Sequence, residues 1–187
     1  RAGEKKIKPV RLAYAGKLDS SKGIHELIRA YSLLRQQKKS VSLDIVGEPN
    51  GENRLRLHSA LEGVEGVTVY PPMPQEELAE FLRRRDIFVL PSYYEGLGLI
   101  ALEALASGLW TVATEIEGLI SLLGGRVNQS GVIKYVKPPR ISGVDQAVED
   151  DLESFVAELA DKLAVQVDKV TRNASFPASI QREIGEH

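Results

Sequence analysis

Glu95 and Glu103 flank a turn, Gly96-Leu97-Gly98-Leu99, whose two glycines let a ligand come close to backbone amides. Carboxylates accept hydrogen bonds from hydroxyl groups, and amides at a helix start bind phosphate oxygens. Together they point to recognition of a polyhydroxylated, phosphate-bearing ligand. Glu103 is the one acid in an apolar run of Leu99, Ile100, Leu102, Ala104 and Leu105, and burying it without a partner would be costly. Lys22, expected at the start of a helix, opposes the helix dipole. A diphosphate held between Lys17, Lys22 and the amides would remove that conflict. Each residue also has a plainer reading: Lys22 facing water, Glu103 paired with a core lysine or arginine, Glu95 a solvated turn acid.

The elements that must position these residues follow from hydrophobic periodicity. Strands are expected over 11–16, 41–47, 67–70, 87–90, 111–114 and 132–136. Helices are expected over 22–34, 54–61, 75–84, 99–106, 116–123 and 151–167. A terminal helix at 178–184 follows a connector at 168–176, and 137–147, rich in Pro, Gly and charge, reads as a loop. Strands alternating with helices argue for an α/β fold, a doubly wound, mainly parallel sheet with helices on both faces. The wholly apolar stretch 87–90 suits a central strand. Ligands of such sheets bind at the carboxyl ends of the strands, which is where Gly16, Lys17, Lys22 and Glu95 fall.

The chain of 187 residues suffices for one domain with a sizeable core or two small ones. Its 43% hydrophobic and 27% charged content is that of an ordinary soluble globular protein. The net charge of −2 gives no general attraction to nucleic acid or anionic membrane, and the basic spots at 5–8, 83–85 and 134–140 read as solvated surface. The absence of cysteine excludes a disulfide framework and a thiolate metal site, and fits a reducing compartment. No apolar stretch is long enough to span a bilayer, and no signal peptide opens the chain. The first residue is Arg1, so the sequence is expected to be trimmed from a longer protein. Asn128-Gln129-Ser130 and Asn173-Ala174-Ser175 read as chance glycosylation sequons. His25, His58 and His187 are scattered, without metal-ligand spacing, and read as surface residues.

Pro91-Ser92-Tyr93-Tyr94-Glu95-Gly96-Leu97-Gly98-Leu99, followed by Glu103-Ala104, resembles the motif of retaining glycosyltransferases of the glycogen-synthase-like type (group 1, GT-B). Those enzymes join two Rossmann-like domains across a cleft, and their two motif glutamates are separated by seven residues, as here. Leu97 stands in place of the usual Phe. Gly16-Lys17-Leu18 with Lys22-Gly23 resembles the family's Gly-Arg-Leu and Lys-Gly pair, and Asp44-Ile45-Val46-Gly47 its second strand and turn. Residues 67–78 resemble the strand and loop that meet the base, and Phe176-Pro177 the start of the last helix. The similarity covers nearly the whole chain.

The resemblance implies that residues 1–187 form the C-terminal nucleotide-sugar-binding domain, the Rossmann-like half of a GT-B enzyme. Residues 167–187 would be its connector and terminal helix, and the N-terminal acceptor domain is absent from this sequence. It implies hexose transfer from a nucleoside-diphosphate donor (a UDP-, GDP- or ADP-hexose) to a sugar, lipid or protein acceptor. Glu95 takes the catalytic role near the anomeric carbon. Gly16, Lys17, Lys22, Met73, Gly96, Leu97, Gly98, Leu99 and Glu103 bind the donor. Among these, Lys17 and Lys22 meet the diphosphate, Glu103 the ribose hydroxyls and Met73 the base, largely through backbone groups. No metal, no cofactor beyond the donor and no nucleic acid is implied. The location implied is cytoplasmic, with any membrane attachment made through the absent domain. The fragment alone is expected to transfer little or nothing, because closing the cleft needs the second domain.

Three departures from the family pattern bear on this. Lys17 replaces an arginine and cannot make a planar bidentate clamp. After the motif helix, Glu117 replaces a glycine and Ser121 an acid, and Glu117 would repel a nearby diphosphate unless it points away. These changes keep a non-catalytic nucleotide-binding or scaffold domain open as an alternative. A sugar-nucleotide epimerase, or a sugar phosphorylase carrying a lysine for pyridoxal phosphate, is an enzymatic rival on the same fold. Trp110, in place of a proline, is expected to pack in the core or at its edge.

Overall fold

Ile87-Phe88-Val89-Leu90 has no polar residue to turn toward water, so both of its faces must be covered. In the computed structural model, which describes residues 8–142 and 146–185, this run is the strand β4 (Ile87–Leu90), and all four residues are buried. It lies beside β1 (Val10–Ala15) at the centre of a six-stranded sheet. β2 (Val41–Val46) and β3 (Val67–Tyr70) extend the sheet on the β1 side. β5 (Trp110–Thr114) and β6 (Ile133–Val136) extend it on the β4 side. The order β3-β2-β1-β4-β5-β6 is parallel throughout, in register from Val10 opposite Val41 and from Ile87 opposite Trp110.

Two helical layers cover this sheet. α1 (Ile24–Gln36) packs against α2 (Gly51–Leu61) and α6 (Glu149–Thr171). On the other side α4 (Leu99–Ala106) packs against α3 (Gln75–Arg83), α5 (Glu117–Gln129) and α7 (Ala178–Gly185). The expected doubly wound parallel sheet is what the chain forms. The chain crosses from one layer to the other through residues 172–177, where the Phe176 ring packs 5.5 Å from that of Trp110. α7 then buries Ile180 and Ile184, and Gln181 Nε2 donates to the Ala106 carbonyl at 2.9 Å.

Several boundaries differ from the periodicity. The first helix does not start at Lys22: Ser20–Lys22 is a single 3₁₀ turn, and Gly23 at φ 67° breaks the chain before α1. α2 begins at Gly51, earlier than its apolar spacing shows. α5 continues to Gln129 through a break at Gly124 (φ 69°, ψ 170°). Asn128 bridges that break, its Nδ2 donating to the carbonyls of Ile120 and Gly124, each at 2.8 Å. The same Asn128 accepts a 2.6 Å hydrogen bond from Tyr135, whose phenol burial pushes up to about 12. α6 runs on to Thr171, which shortens the connector, because Val167 still faces the core. Within 137–147, β7 (Ile141–Ser142) and β8 (Gln146–Ala147) pair as a small antiparallel ribbon.

Asp44 on β2 and Arg85, just past α3, pair at 2.6 Å with side chains 13% and 12% exposed. The Arg85 guanidinium also lies 3.7 Å over the Phe81 ring. Removing the carboxylate leaves a shielded guanidinium without its counter-charge. Asp44→Ala is therefore expected to lower stability by about 3 kcal/mol, read as a lower urea midpoint at unchanged slope. An unmoved midpoint would mean that water already solvates Arg85.

Candidate functional site

A parallel sheet brings all its carboxyl ends to one edge, and where β1 and β4 adjoin, their loops part in opposite directions. Gly16 and Lys17, exposed, follow β1 at this edge. Tyr14, buried beneath them, donates its hydroxyl to the Lys17 carbonyl at 2.6 Å. Burial first, then the charges of Asp19 and Glu95, push the Tyr14 phenol above its ordinary value, so it stays a donor. The loop after β2 closes tightly on this one: a Cβ on Gly47 would sit 2.1 Å from the Gly16 carbonyl oxygen. The loop after β4 is held as closely. A Cβ on Gly23 would sit 2.2 Å from the Pro91 carbonyl oxygen, and the Tyr93 amide donates to the Ser21 carbonyl at 2.9 Å.

This clamp sets the spacing of the expected cation and acid. Lys22 Nζ lies 2.9 Å from Glu95 Oε2, with both side chains half-buried. The lysine is therefore not simply a solvated cation: its counter-charge is Glu95. Behind Glu95, the Tyr93 ring stands edge-on to Phe155 at 5.9 Å and 78°. Burial above all, then the nearby buried Glu26 carboxylate, pushes the Tyr93 phenol up. Thr114 Oγ1 donates to the Ser92 carbonyl at 2.7 Å, tying the end of β5 to the same loop.

Gly98, at φ 62°, leads into α4, and no side chain caps that helix. The Ala101 amide donates to the Gly98 carbonyl at 2.8 Å, which leaves the amides of Leu99 and Ile100 without a local acceptor. A Cβ on Gly118 would fall 2.6 Å from the Gly96 carbonyl oxygen, so the start of α5 abuts the turn. Gly96, Leu97 and Leu99 are exposed, as is Glu117 in the first turn of α5.

Glu103 is not the acid paired with a core lysine or arginine that the plainer reading offers. It is exposed rather than buried, because α4 turns Ala101, Ala104 and Leu105 to the core and Glu103 away from it. Its contact is the first residue of α3: Gln75 Nε2 donates to Glu103 Oε1 at 3.4 Å. Met73 is half-buried against the core while Pro71, Pro72 and Pro74 around it are exposed. The structure thus gathers Gly16, Lys17, Lys22, Glu95, Gly96, Leu97, Gly98 and Leu99 around the ends of β1 and β4. Glu103 with Gln75, and Met73 just before it, flank this group on the α3 side.

Two participants escape the sequence pattern. Tyr14 reads only as an inward strand residue, and Gln75 only as the first residue of a helix. Of the histidines, His58 is exposed as expected. His25 is half-buried, with its pKa lowered first by burial, because α1 turns it toward the groove with α6. His187 lies outside the described residues, as do residues 5–7 of the first basic spot. Among the described residues no three His, Cys, Asp or Glu side chains are grouped as a metal centre requires. Among them, too, no helix is long and apolar enough to cross a membrane. Cavities of about 480 Å³ between α1, α2 and α6, and of about 730 Å³ at the amino ends of β1 and β2, lie away from this edge. The charge pair and the glycine contacts, not cavity volume, single out the carboxyl ends.

The sequence model of the family "Glycosyl transferases group 1" matches residues 1–166. The chain belongs to this family. It is 35% identical over 154 residues to glycogen synthase of Mycobacterium tuberculosis, a match covering 80% of this chain and 35% of that protein. It is 39% identical over 113 residues to D-inositol 3-phosphate glycosyltransferase of Pseudarthrobacter chlorophenolicus, covering 58% of this chain and 27% of that one. The chain thus spans about a third or less of the length of these group 1 relatives. Among solved structures, the C-terminal domain of the group 1 protein LpcC from Francisella tularensis superposes with a TM-score of 0.69 at 20% identity. That match covers 97% of this chain and 88% of that one. The pneumococcal O-GlcNAc transferase GtfA, solved with UDP and GlcNAc, superposes with a TM-score of 0.67 at 18% identity, covering 96% of this chain and 33% of that one. The fold is accordingly the Rossmann-like domain of GT-B glycosyltransferases.

Proposed function

We propose that this chain binds a nucleoside-diphosphate sugar and is the donor half of a retaining glycosyltransferase that moves a hexose to a sugar, lipid or protein acceptor. The observation that carries the reading is the Lys22–Glu95 pair, set at the β1–β4 junction beside a glycine-lined turn and the uncapped start of α4. In this reading the diphosphate lies among Lys17, Lys22 and the first amides of α4. The ribose hydroxyls donate to Glu103, which Gln75 steadies, and the base meets the loop around Met73. Glu95 and the amides of residues 96–99 meet the sugar. As the glycosidic bond breaks, positive charge grows on the sugar and negative charge on the leaving diphosphate; Glu95 stabilises the first and the lysines the second. Retention follows if the leaving phosphate assists attack from its own face. Tyr94, Leu97 and Leu99 are 75%, 51% and 54% exposed beside the site, an apolar rim suited to a second domain closing over it.

The test is calorimetric titration of the chain with UDP, GDP and ADP in parallel, repeated on Glu103→Ala. One nucleotide is expected to bind selectively, and Glu103→Ala to weaken it roughly 10- to 100-fold, the range for hydrogen bonds to a charged group. Undiminished binding by Glu103→Ala would remove this carboxylate from the ribose and sink the assignment.

A further inference from the structure

We infer that Lys22 and Glu95 form a breakable pair that lets this site favour a sugar-bearing diphosphate over a bare one. The inference rests on the donor-site reading above. The two side chains are 24% and 28% exposed, so their attraction at 2.9 Å is screened less than on open surface. They are also held from separate elements. Gly23 presses on the Pro91 carbonyl, and the Tyr93 amide is bonded to the Ser21 carbonyl, so the backbones cannot drift apart to relax the pair. A diphosphate that takes Lys22 competes with Glu95 for the ammonium and sets an anion beside the Glu95 carboxylate. A bare diphosphate gives that carboxylate only repulsion. A diphosphate carrying a sugar brings hydroxyl donors to it, which offsets the competition for Lys22. The pair therefore weakens the hold on free nucleoside diphosphate, the product of transfer, relative to the intact donor.

Inorganic pyrophosphate is the probe, titrated calorimetrically at low salt into the unsubstituted chain, Glu95→Gln, Lys22→Met and the double variant. Glu95→Gln is expected to bind pyrophosphate roughly 5-fold more tightly than the unsubstituted chain, since no carboxylate competes for Lys22 or repels the anion. Lys22→Met is expected to bind it more weakly, and the gain from Glu95→Gln to vanish largely on the Lys22→Met background. An unchanged affinity in Glu95→Gln, or an equal gain in both backgrounds, overturns the pair as the cause and leaves the diphosphate site standing. Failure of all four proteins to bind pyrophosphate overturns the donor-site reading and this inference with it. Thermal melts check folding, and Glu95→Ala carries the same comparison should Glu95→Gln not fold.

Discussion

Glu95→Gln is expected to lower glycosyl transfer by about 100- to 1,000-fold, the loss typical when a charge-stabilising group is removed from a transition state. The substitution keeps the shape of the side chain and removes only its negative charge. Glu95 is half-buried in a turn, and its contact is Lys22, so the variant should keep its fold with a stability change of about 1 kcal/mol or less. The measurement is the initial rate of the proposed transfer by a protein that contains this domain, with the melting temperature recorded beside it. The informative signature is a split: turnover falls while the hold on bare pyrophosphate tightens. A merely structural role would weaken both together. Transfer within about 3-fold of the unsubstituted rate, against a predicted loss of more than 2 kcal/mol of transition-state stabilisation, would instead favour a domain whose glutamate does no chemistry.

Gly23→Ala is expected to cost about 3 kcal/mol or more of stability, far beyond an ordinary glycine substitution. Two effects add at this position. Its φ of 67° disfavours any side chain by roughly 1 kcal/mol. The new methyl would also stand 2.2 Å from the Pro91 carbonyl oxygen and 2.9 Å from its carbon, both backbone atoms. Pro91 cannot retreat easily, since it leaves β4, the buried central strand, and the next residues are bonded to Ser21 and Thr114. The control is Gly63→Ala, at φ 73° with nothing within 4 Å of the added methyl, where only the conformational cost of about 1 kcal/mol applies. Urea unfolding of both variants measures the difference. If Gly23→Ala cost no more than Gly63→Ala, the clamp between the β1 and β4 loops would be loose. If it folds by pushing the Pro91 loop outward, the Lys22–Glu95 pair should be lost and pyrophosphate binding should change with it.

The strands and the layer plan can be read from local pattern because hydrophobic burial acts on short stretches. Ile87 to Leu90 has no polar face, and the helix over 99–106 begins where its apolar run does. The glycines at 23, 47, 96 and 98 and the two motif glutamates are likewise visible as residue types in order. Side-chain partners are a different matter. Lys22 and Glu95 stand 73 positions apart, and Gln75 and Glu103 stand 28 apart, so no local period encodes their meeting. The exposure of Glu103 was also beyond reach: composition marked it as an acid in an apolar run, and only the packing of α4 decided which side meets the core. The same holds for the late end of α6, whose last turns are kept helical by Val167 against the sheet layer rather than by a stop signal. Sequence alone determined the parallel α/β sheet, the family motif and the identity of the charged groups. Tertiary structure alone decided which charge faces which, because that depends on backbone distances set where separate strands and their loops are pressed together.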